Sequence, residues 1–129
     1  MSFVQHLKVL VADDTTTSRM LITDALQDMG IRQIALAKDG EEALRMMMDK
    51  PCHLILSDFN MPKLDGLGLL KAIRSYGPLR NTPFIILTGK SDRALVERAA
   101  ALGVNNYLTK PFTTPQLKRA IEAIVGELT

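Results

Sequence analysis

Two kinds of apolar pattern alternate along the chain. Short runs at Lys8 to Ala12, Gln33 to Ala37, Leu54 to Leu56, Phe84 to Leu87 and Asn106 to Thr109 read as strands. The third and fourth have no polar alternation, which is expected of strands buried on both faces. Between them, apolar residues recur at helical spacing. Leu21, Ile22, Ala25, Leu26 and Met29 mark a first helix, with cap candidates in Thr15 to Ser18 and a stop at Gly30. Asp39-Gly40-Glu41-Glu42 resembles a capping arrangement that opens a second helix running through Met48. Leu67, Leu70 and Ile73 form the buried stripe of a third helix after Asp65-Gly66, and Tyr76 to Pro83 is a polar loop. Ser91 can cap a fourth helix whose Leu95, Ala99 and Leu102 share a face, ended by Gly103. Thr114-Pro115 is a cap and first-turn pair for a fifth, lined by Leu117, Ile121, Ile124, Val125 and Leu128.

Strict alternation of five strands with five helices predicts a parallel sheet covered by helices on both faces. No fixed-period repeat and no low-complexity linker interrupts it. The expectation is one doubly wound α/β domain over residues 1–129, with no output domain after the last helix.

Composition narrows the class without changing that picture. The chain is 47% hydrophobic and 23% charged, ordinary for a globular domain. No apolar run approaches the roughly 18 residues of a membrane span, and MSFVQHLKVL lacks the basic and apolar regions of a secretory signal. Cys52 is the single cysteine, so no internal disulfide forms, and no Cys/His cluster suggests structural zinc. A cytoplasmic, reducing location is expected. The net charge of +2 is too small to argue for nucleic acid. Its distribution is uneven: residues 1–65 carry ten acids and seven bases, and residues 66–129 carry four acids and nine bases.

The chemistry sits at the strand ends. Asp13-Asp14 follows the first strand, Asp58 and Asn60 the third, Thr88 the fourth, and Lys110 the fifth. In a parallel sheet these ends share one edge, so residues distant in sequence converge. Each has a plain structural alternative: Asp13-Asp14 as a helix cap, Asp58 and Thr88 as turn residues, Lys110 as a surface lysine. Four strand ends with compatible chemistry weigh against that alternative. Clustered carboxylates raise one another's pKa unless neutralised, and a hard divalent cation such as Mg²⁺ accepts oxygen ligands of this kind. Lysine and threonine suit phosphoryl oxygens, and an aspartate can be the nucleophile that forms an acyl phosphate.

LKVLVADD, LILSDFNMPKLDG, FIILTGK and YLTKPF resemble, in order, the motif set of CheY-like response-regulator receiver domains. The resemblance covers essentially the whole chain and is strongest to stand-alone chemotaxis regulators. It implies a flavodoxin-like (βα)5 fold and a switch rather than a turnover enzyme. It implies that Asp58 is phosphorylated by a CheA-like sensor histidine kinase. Mg²⁺ would be held by Asp13 or Asp14, by Asp58, and by the main-chain carbonyl of Asn60. Thr88 and Lys110 would contact the phosphoryl group, Tyr107 would be the switch aromatic, and the Lys110-Pro111 bond would be cis. Asn60 and Lys90 occupy positions associated with phosphate lifetime, and Lys90 stands where some relatives carry an acid. Thr15 follows the acidic pair where some relatives carry an aromatic.

The surface affected by the switch would be the fourth helix, fifth strand and fifth helix. It carries Lys90, Arg93, Arg98, Lys118 and Arg119 against Asp92, Glu97 and Glu122. The implied partner is a flagellar switch protein or a phosphotransfer protein, with the chain a monomer that binds neither membrane nor nucleic acid. Chemotaxis control of the flagellar motor leads; a phosphate sink or a phosphorelay shuttle is the alternative. A small aspartyl-phosphate phosphatase fits less well, because Asn60 stands where such enzymes place a second aspartate. A flavin-binding protein fits poorly, since Asp13-Asp14 would repel its phosphate. His6, His53, the Met46-Met47-Met48 run and Cys52 are assigned no chemistry: the histidines lie at strand starts, one or two of the methionines are expected to be buried, and nothing nearby activates the thiol.

Overall fold

The computed structural model describes residue 4 and residues 6–89 and 93–126. Five parallel strands, β1 (Lys8–Ala12), β2 (Gln33–Ala37), β3 (Leu54–Asp58), β4 (Phe84–Thr88) and β5 (Asn106–Thr109), form one sheet in the order β2-β1-β3-β4-β5. The helices between and after them are α1 (Thr16–Asp28), α2 (Gly40–Asp49), α3 (Gly66–Ser75), α4 (Arg93–Ala101) and α5 (Thr114–Val125). The order reverses at β1, from which one crossover leads outward to β2 and the next returns to β3 on the other side. The crevice beyond the carboxyl ends of β1 and β3 is therefore the topological switch point, where open α/β sheets bind ligands.

Strand side chains alternate between two cores, as a period of two requires. Val9, Val11, Leu54, Leu56, Ile85 and Leu87 pack on one face against Ile22 and Leu26 of α1 and Leu117 and Ile121 of α5. Leu10, Ile55, Phe84 and Ile86 face the other way, against Met47 of α2, Leu70 and Ile73 of α3, and Leu95 and Ala99 of α4. The strand spans match the sequence expectation, with β3 and β4 extended to Asp58 and Thr88, and the doubly wound architecture is the one anticipated. Met47 alone of the three consecutive methionines is fully buried.

Three local expectations are corrected. Leu21 is 66% exposed, because the buried stripe of α1 centres on Ile22, Ala25 and Leu26. The cap of α5 is Thr113, not Thr114: Thr113 Oγ1 accepts from the Gln116 N–H at 3.2 Å, and Gln116 Oε1 accepts from the Thr113 N–H at 2.8 Å. That reciprocal pair moves Thr114 and Pro115 into the first helical turn, where a missing N–H costs nothing. At α2, Asp39 caps Glu42, but the Glu42 carboxylate reaches the Lys38 N–H instead of closing a box on Asp39. Ser91, the cap expected for α4, lies outside the described residues, as does Leu128.

The loop from β3 to α3 returns tightly onto the strand it leaves. The Gly66 N–H donates to the Phe59 carbonyl at 2.9 Å, and a Cβ on Gly66 would lie 2.6 Å from the Asp58 carbonyl oxygen. Only glycine lets α3 start this close to the end of β3. Gly66→Ala is expected to lower stability by about 1–3 kcal/mol in urea denaturation, as overpacking against backbone does. Gly77→Ala, with nothing within 4 Å of its Cβ, is expected to change the midpoint little; equal effects of the two would refute this account of the loop.

Candidate functional site

The carboxyl ends of the strands bring together residues drawn from four parts of the chain. Asp13 leaves β1 with its N–H on the Ala37 carbonyl of β2, and Asp58 is the last residue of β3. Next to Asp58, the Phe59 N–H donates to the Leu87 carbonyl, which holds the end of β3 against β4. Thr88 ends β4 with 3% of its surface exposed, and the Lys110 N–H donates to the Thr88 carbonyl at 2.6 Å. Backbone bonds thus fix the four anchor points before any side chain acts. The Lys110-Pro111 peptide is cis, as the resemblance implied.

Asp13, Asp14 and Asp58 each offer a carboxylate oxygen within 4.8 Å of the others. An all-oxygen set with this spacing fits a hard divalent cation. The Lys110 ammonium lies 3.1 Å from Asp13 Oδ2 and 3.5 Å from Asp58 Oδ1. Lys110 thus contacts two of the three clustered acids.

The two innermost carboxylates are treated differently. Asp13 is fully buried, yet both of its oxygens are occupied. Oδ1 accepts from the Thr15 N–H at 3.0 Å and the Thr15 hydroxyl at 3.3 Å. Oδ2 accepts from the Ser18 hydroxyl and, at 3.1 Å, from Lys110 Nζ. Burial alone would push the Asp13 pKa up, but the Ser18 and Thr15 bonds together with the Lys110 charge outweigh it, and the carboxyl lies below its ordinary value. Asp58 is less well supplied. Burial pushes its pKa up and the Asp13 charge adds to that, with Lys110 only partly opposing. Two neighbouring carboxylates pushed apart in this way divide their roles: Asp13 is a stable anion, and Asp58 is the one whose charge the site least supports.

Asp13-Asp14 does not cap α1. The cap is Thr15, whose Oγ1 accepts from the Ser18 N–H. This residue, expected only to alter packing, joins helix start and acid pair into one network. Sequence reasoning missed two contributors. The Ser18 hydroxyl bridges Asp13 and Lys110, accepting from Nζ at 3.1 Å, and the Arg19 guanidinium donates to the Asp13 carbonyl at 2.6 Å. Their signal was available in principle, since both fall in the first turn after an acidic strand end. A serine at a helix start, however, reads first as a cap.

The remaining candidates are distributed as follows. Asn60 is exposed in the β3–α3 loop, two residues beyond Asp58, and Tyr107 on edge strand β5 is 39% exposed. Lys90 lies outside the described residues. His53 is exposed at the opposite end of the sheet, where its Nδ1 accepts from the Lys8 N–H at 2.9 Å. Cys52 is half-buried, and burial pushes its thiol pKa up, away from reactivity. Of the basic residues on α4 and α5, Arg93 is paired with Glu97 at 3.2 Å, while Arg98 and Arg119 are exposed. Among the described residues no helix is long and apolar enough to cross a membrane.

Known proteins share this arrangement. Residues 9–122 match the response regulator receiver domain family. A probable chemotaxis protein CheY of Rhizobium etli is 52% identical over 128 residues, covering 99% of both chains. The chemotaxis protein CheY of Pseudomonas aeruginosa is 38% identical over 118 residues, covering 92% of this chain and 95% of that one. Among solved structures, Vibrio cholerae chemotaxis protein CheY4 superposes with a TM-score of 0.85 at 31% identity, over 92% of this chain and 98% of that one. The receiver domain of a Pseudomonas aeruginosa sensor histidine kinase, solved with a magnesium ion in its active-site cleft, also gives 0.85, at 30% identity over 94% and 98%. With its sheet order, its three clustered aspartates and its lysine all in place, the chain belongs to the response regulator receiver domain family and is a CheY-like member of it.

Proposed function

We propose that the chain is a phosphorylation-switched binding module of a chemotaxis pathway, with Asp58 as the phosphoacceptor. The observation that carries this reading is the unequal treatment of the two inner aspartates. Asp13 is locked by four donors, whereas Asp58 stands at a strand end with a raised pKa and one lysine at 3.5 Å. Of these two, Asp58 has fewer bonds to give up when it reacts, which supports it as the acceptor. In the transfer, an Asp58 oxygen attacks the phosphorus of a phosphohistidine on a sensor kinase. The P–N bond breaks as the new P–O bond forms, and the imidazole leaves with a proton. Hydrolysis restores the carboxylate: water attacks phosphorus, the Asp58 O–P bond breaks, and inorganic phosphate departs with one of the water's protons while the other passes to solvent.

The donor set supports Mg²⁺ as the cofactor, with Asp14, Asp58 and the Asn60 carbonyl as direct ligands. Asp13, whose oxygens are bonded to Thr15, Ser18 and Lys110, would support the cation through its negative charge. The cation would neutralise charge on the transferring phosphoryl group. Lys110 and Thr88 would meet the phosphoryl oxygens, and the bond from the Lys110 N–H to the Thr88 carbonyl supports coupled movement of the two. Tyr107, two residues before Thr109 on the exposed edge, would carry that movement to the α4–β5–α5 surface. Asn60, exposed two residues beyond Asp58, would lie near the path of the attacking water and, with Lys90, would set the lifetime. The whole of residues 1–129 would act as one receiver unit, monomeric and in the cytoplasm, with a flagellar switch component as the reader.

Acetyl phosphate with Mg²⁺ is expected to label the protein once per chain, and Asp58→Asn is expected to abolish labelling. Lys110→Ala should slow it by about 100-fold, the scale of losing one preorganised donor. Undiminished labelling of Asp58→Asn would end the proposal.

A stability measurement follows from the raised Asp58 pKa. Its charged form is disfavoured in the folded state, so the charge costs stability wherever Asp58 is ionised. The cost is absent below the unfolded value of 3.8 and grows as pH rises through the higher folded value. Asp58→Asn is therefore expected to unfold at higher urea than the parent at pH 7, with the difference shrinking as pH falls toward 3.8.

The partner separates the motor regulator from a phosphate sink. Beryllofluoride-activated protein is expected to capture a flagellar switch component that the unactivated protein does not. Capture of a kinase alone in both states would favour the sink.

A further inference from the structure

We propose that Ser18 is a positioning residue for Lys110, holding its ammonium against Asp13 as long as Asp58 is unphosphorylated. The inference rests on the receiver reading given above and adds a residue to it. Lys110 Nζ has three contacts of unequal length: Asp13 Oδ2 and the Ser18 hydroxyl, each at 3.1 Å, and Asp58 Oδ1 at 3.5 Å. The Ser18 hydroxyl in turn donates to the same Asp13 oxygen. Ser18, Asp13 and Lys110 thus close a ring of three hydrogen bonds beside Asp58. The two short contacts both draw the ammonium away from the residue it must serve.

Ser18 itself has little freedom to be elsewhere. It lies in the first turn of α1, and its N–H is held by Thr15 Oγ1 at 3.3 Å. Thr15 Oγ1 is also bonded to Asp13. Helix start, acid and lysine are therefore registered to one another through the serine. The hydroxyl is neutral and both donates and accepts, so it satisfies the lysine without competing for its charge. Phosphorylation at Asp58 offers Lys110 a stronger, doubly charged partner. The free energy of leaving Ser18 and Asp13 is then part of the switching equilibrium, and the serine contact favours the unphosphorylated side.

Removing the hydroxyl should leave the fold intact, because alanine favours a helical turn and the backbone bond to Thr15 is unaffected. A neutral hydrogen bond corresponds to a roughly two- to tenfold change in an equilibrium. Two measurements test the proposal on the full chain. In protein labelled with ¹⁵N at lysine Nζ and without added metal, Ser18→Ala is expected to speed ammonium proton exchange at Lys110 by roughly two- to tenfold. Ser18→Thr, which keeps the hydroxyl, is expected to retain the parent rate. With Mg²⁺ present, Ser18→Ala is expected to bind beryllofluoride about two- to tenfold more tightly than the parent, and Ser18→Thr to bind like it. Equal exchange in all three proteins overturns the proposal, and so does unchanged or weaker beryllofluoride binding in Ser18→Ala. Failure of every form to take up beryllofluoride would overturn the receiver chemistry instead, and the exchange measurement would then decide the role of Ser18 alone.

Discussion

Among the described residues, three carboxylates share the edge of a largely apolar sheet with the Lys110 ammonium and, at the Asp13 carbonyl, the Arg19 guanidinium, so the acids outnumber the bases. Like charges at such a distance in a low-dielectric setting cost several kcal/mol unless each is answered by a donor or a cation. The protein answers them unevenly. Asp13 receives a backbone N–H, two hydroxyls and most of Lys110. Asp58 receives the longer of the two lysine contacts and a backbone N–H from Phe59. Burial, with the Asp13 charge adding to it, gives Asp58 its raised pKa, and the clustered carboxylate oxygens suit a hard cation. The imbalance that makes the site costly to fold is also what the proposed phosphorylation of Asp58 would draw on.

A site of this kind needs a rigid frame, because a displacement of about 1 Å in a donor can decide whether it acts. The frame is the pair of cores on either side of β1, β3 and β4, whose apolar residues are almost all fully buried. Their packing fixes the strands, and backbone hydrogen bonds then fix the strand ends: Asp13 to Ala37, Phe59 to Leu87, Lys110 to Thr88. Gly66 completes the frame by letting α3 begin against the Asp58 carbonyl. At the far side of the molecule, Arg74 clamps the end of α3 to the Thr82 and Gly103 carbonyls and to the Asn105 side chain. It stiffens the approach to β4 and β5 from the end away from the chemistry.

Much of this was legible before the structure. Short continuous apolar runs identified the strands, because burial on two faces leaves little choice of residue at Leu54 to Leu56 or Phe84 to Leu87, and period-3.6 patterns identified the helices. The acids and the lysine were legible because their residue types are costly at strand ends without a purpose. What stayed hidden depended on which of several similar residues the geometry selects. Thr113 rather than Thr114 caps α5 because only Thr113 lets Gln116 reciprocate. Leu21 faces water because the helix stripe is narrower than its apolar spacing suggests. Ser18 was invisible as chemistry because its partners lie 5 and 92 positions away in the chain. Only the fold brings Lys110 to it.

In the proposed switch, the link from site to surface would run through β5, which touches both. β5 is an edge strand, joined to the sheet on one side only, through β4. Its last residues lead directly into Lys110, whose N–H is held by Thr88. An edge strand has fewer bonds to break than a central one, so a force applied at Lys110 is met with least resistance there. A phosphoryl group at Asp58 would add roughly −1.5 to −2 charge beside that lysine. The added charge shifts the balance of attraction on Lys110 from Asp13 and Ser18 toward Asp58. β1 and β3 are held on both sides and cannot follow. Tyr107, exposed on β5, lies on the part of the sheet with room to move, so the local charge imbalance at the strand ends and the weakly held edge together account for how a reaction at one carboxylate could be read from outside.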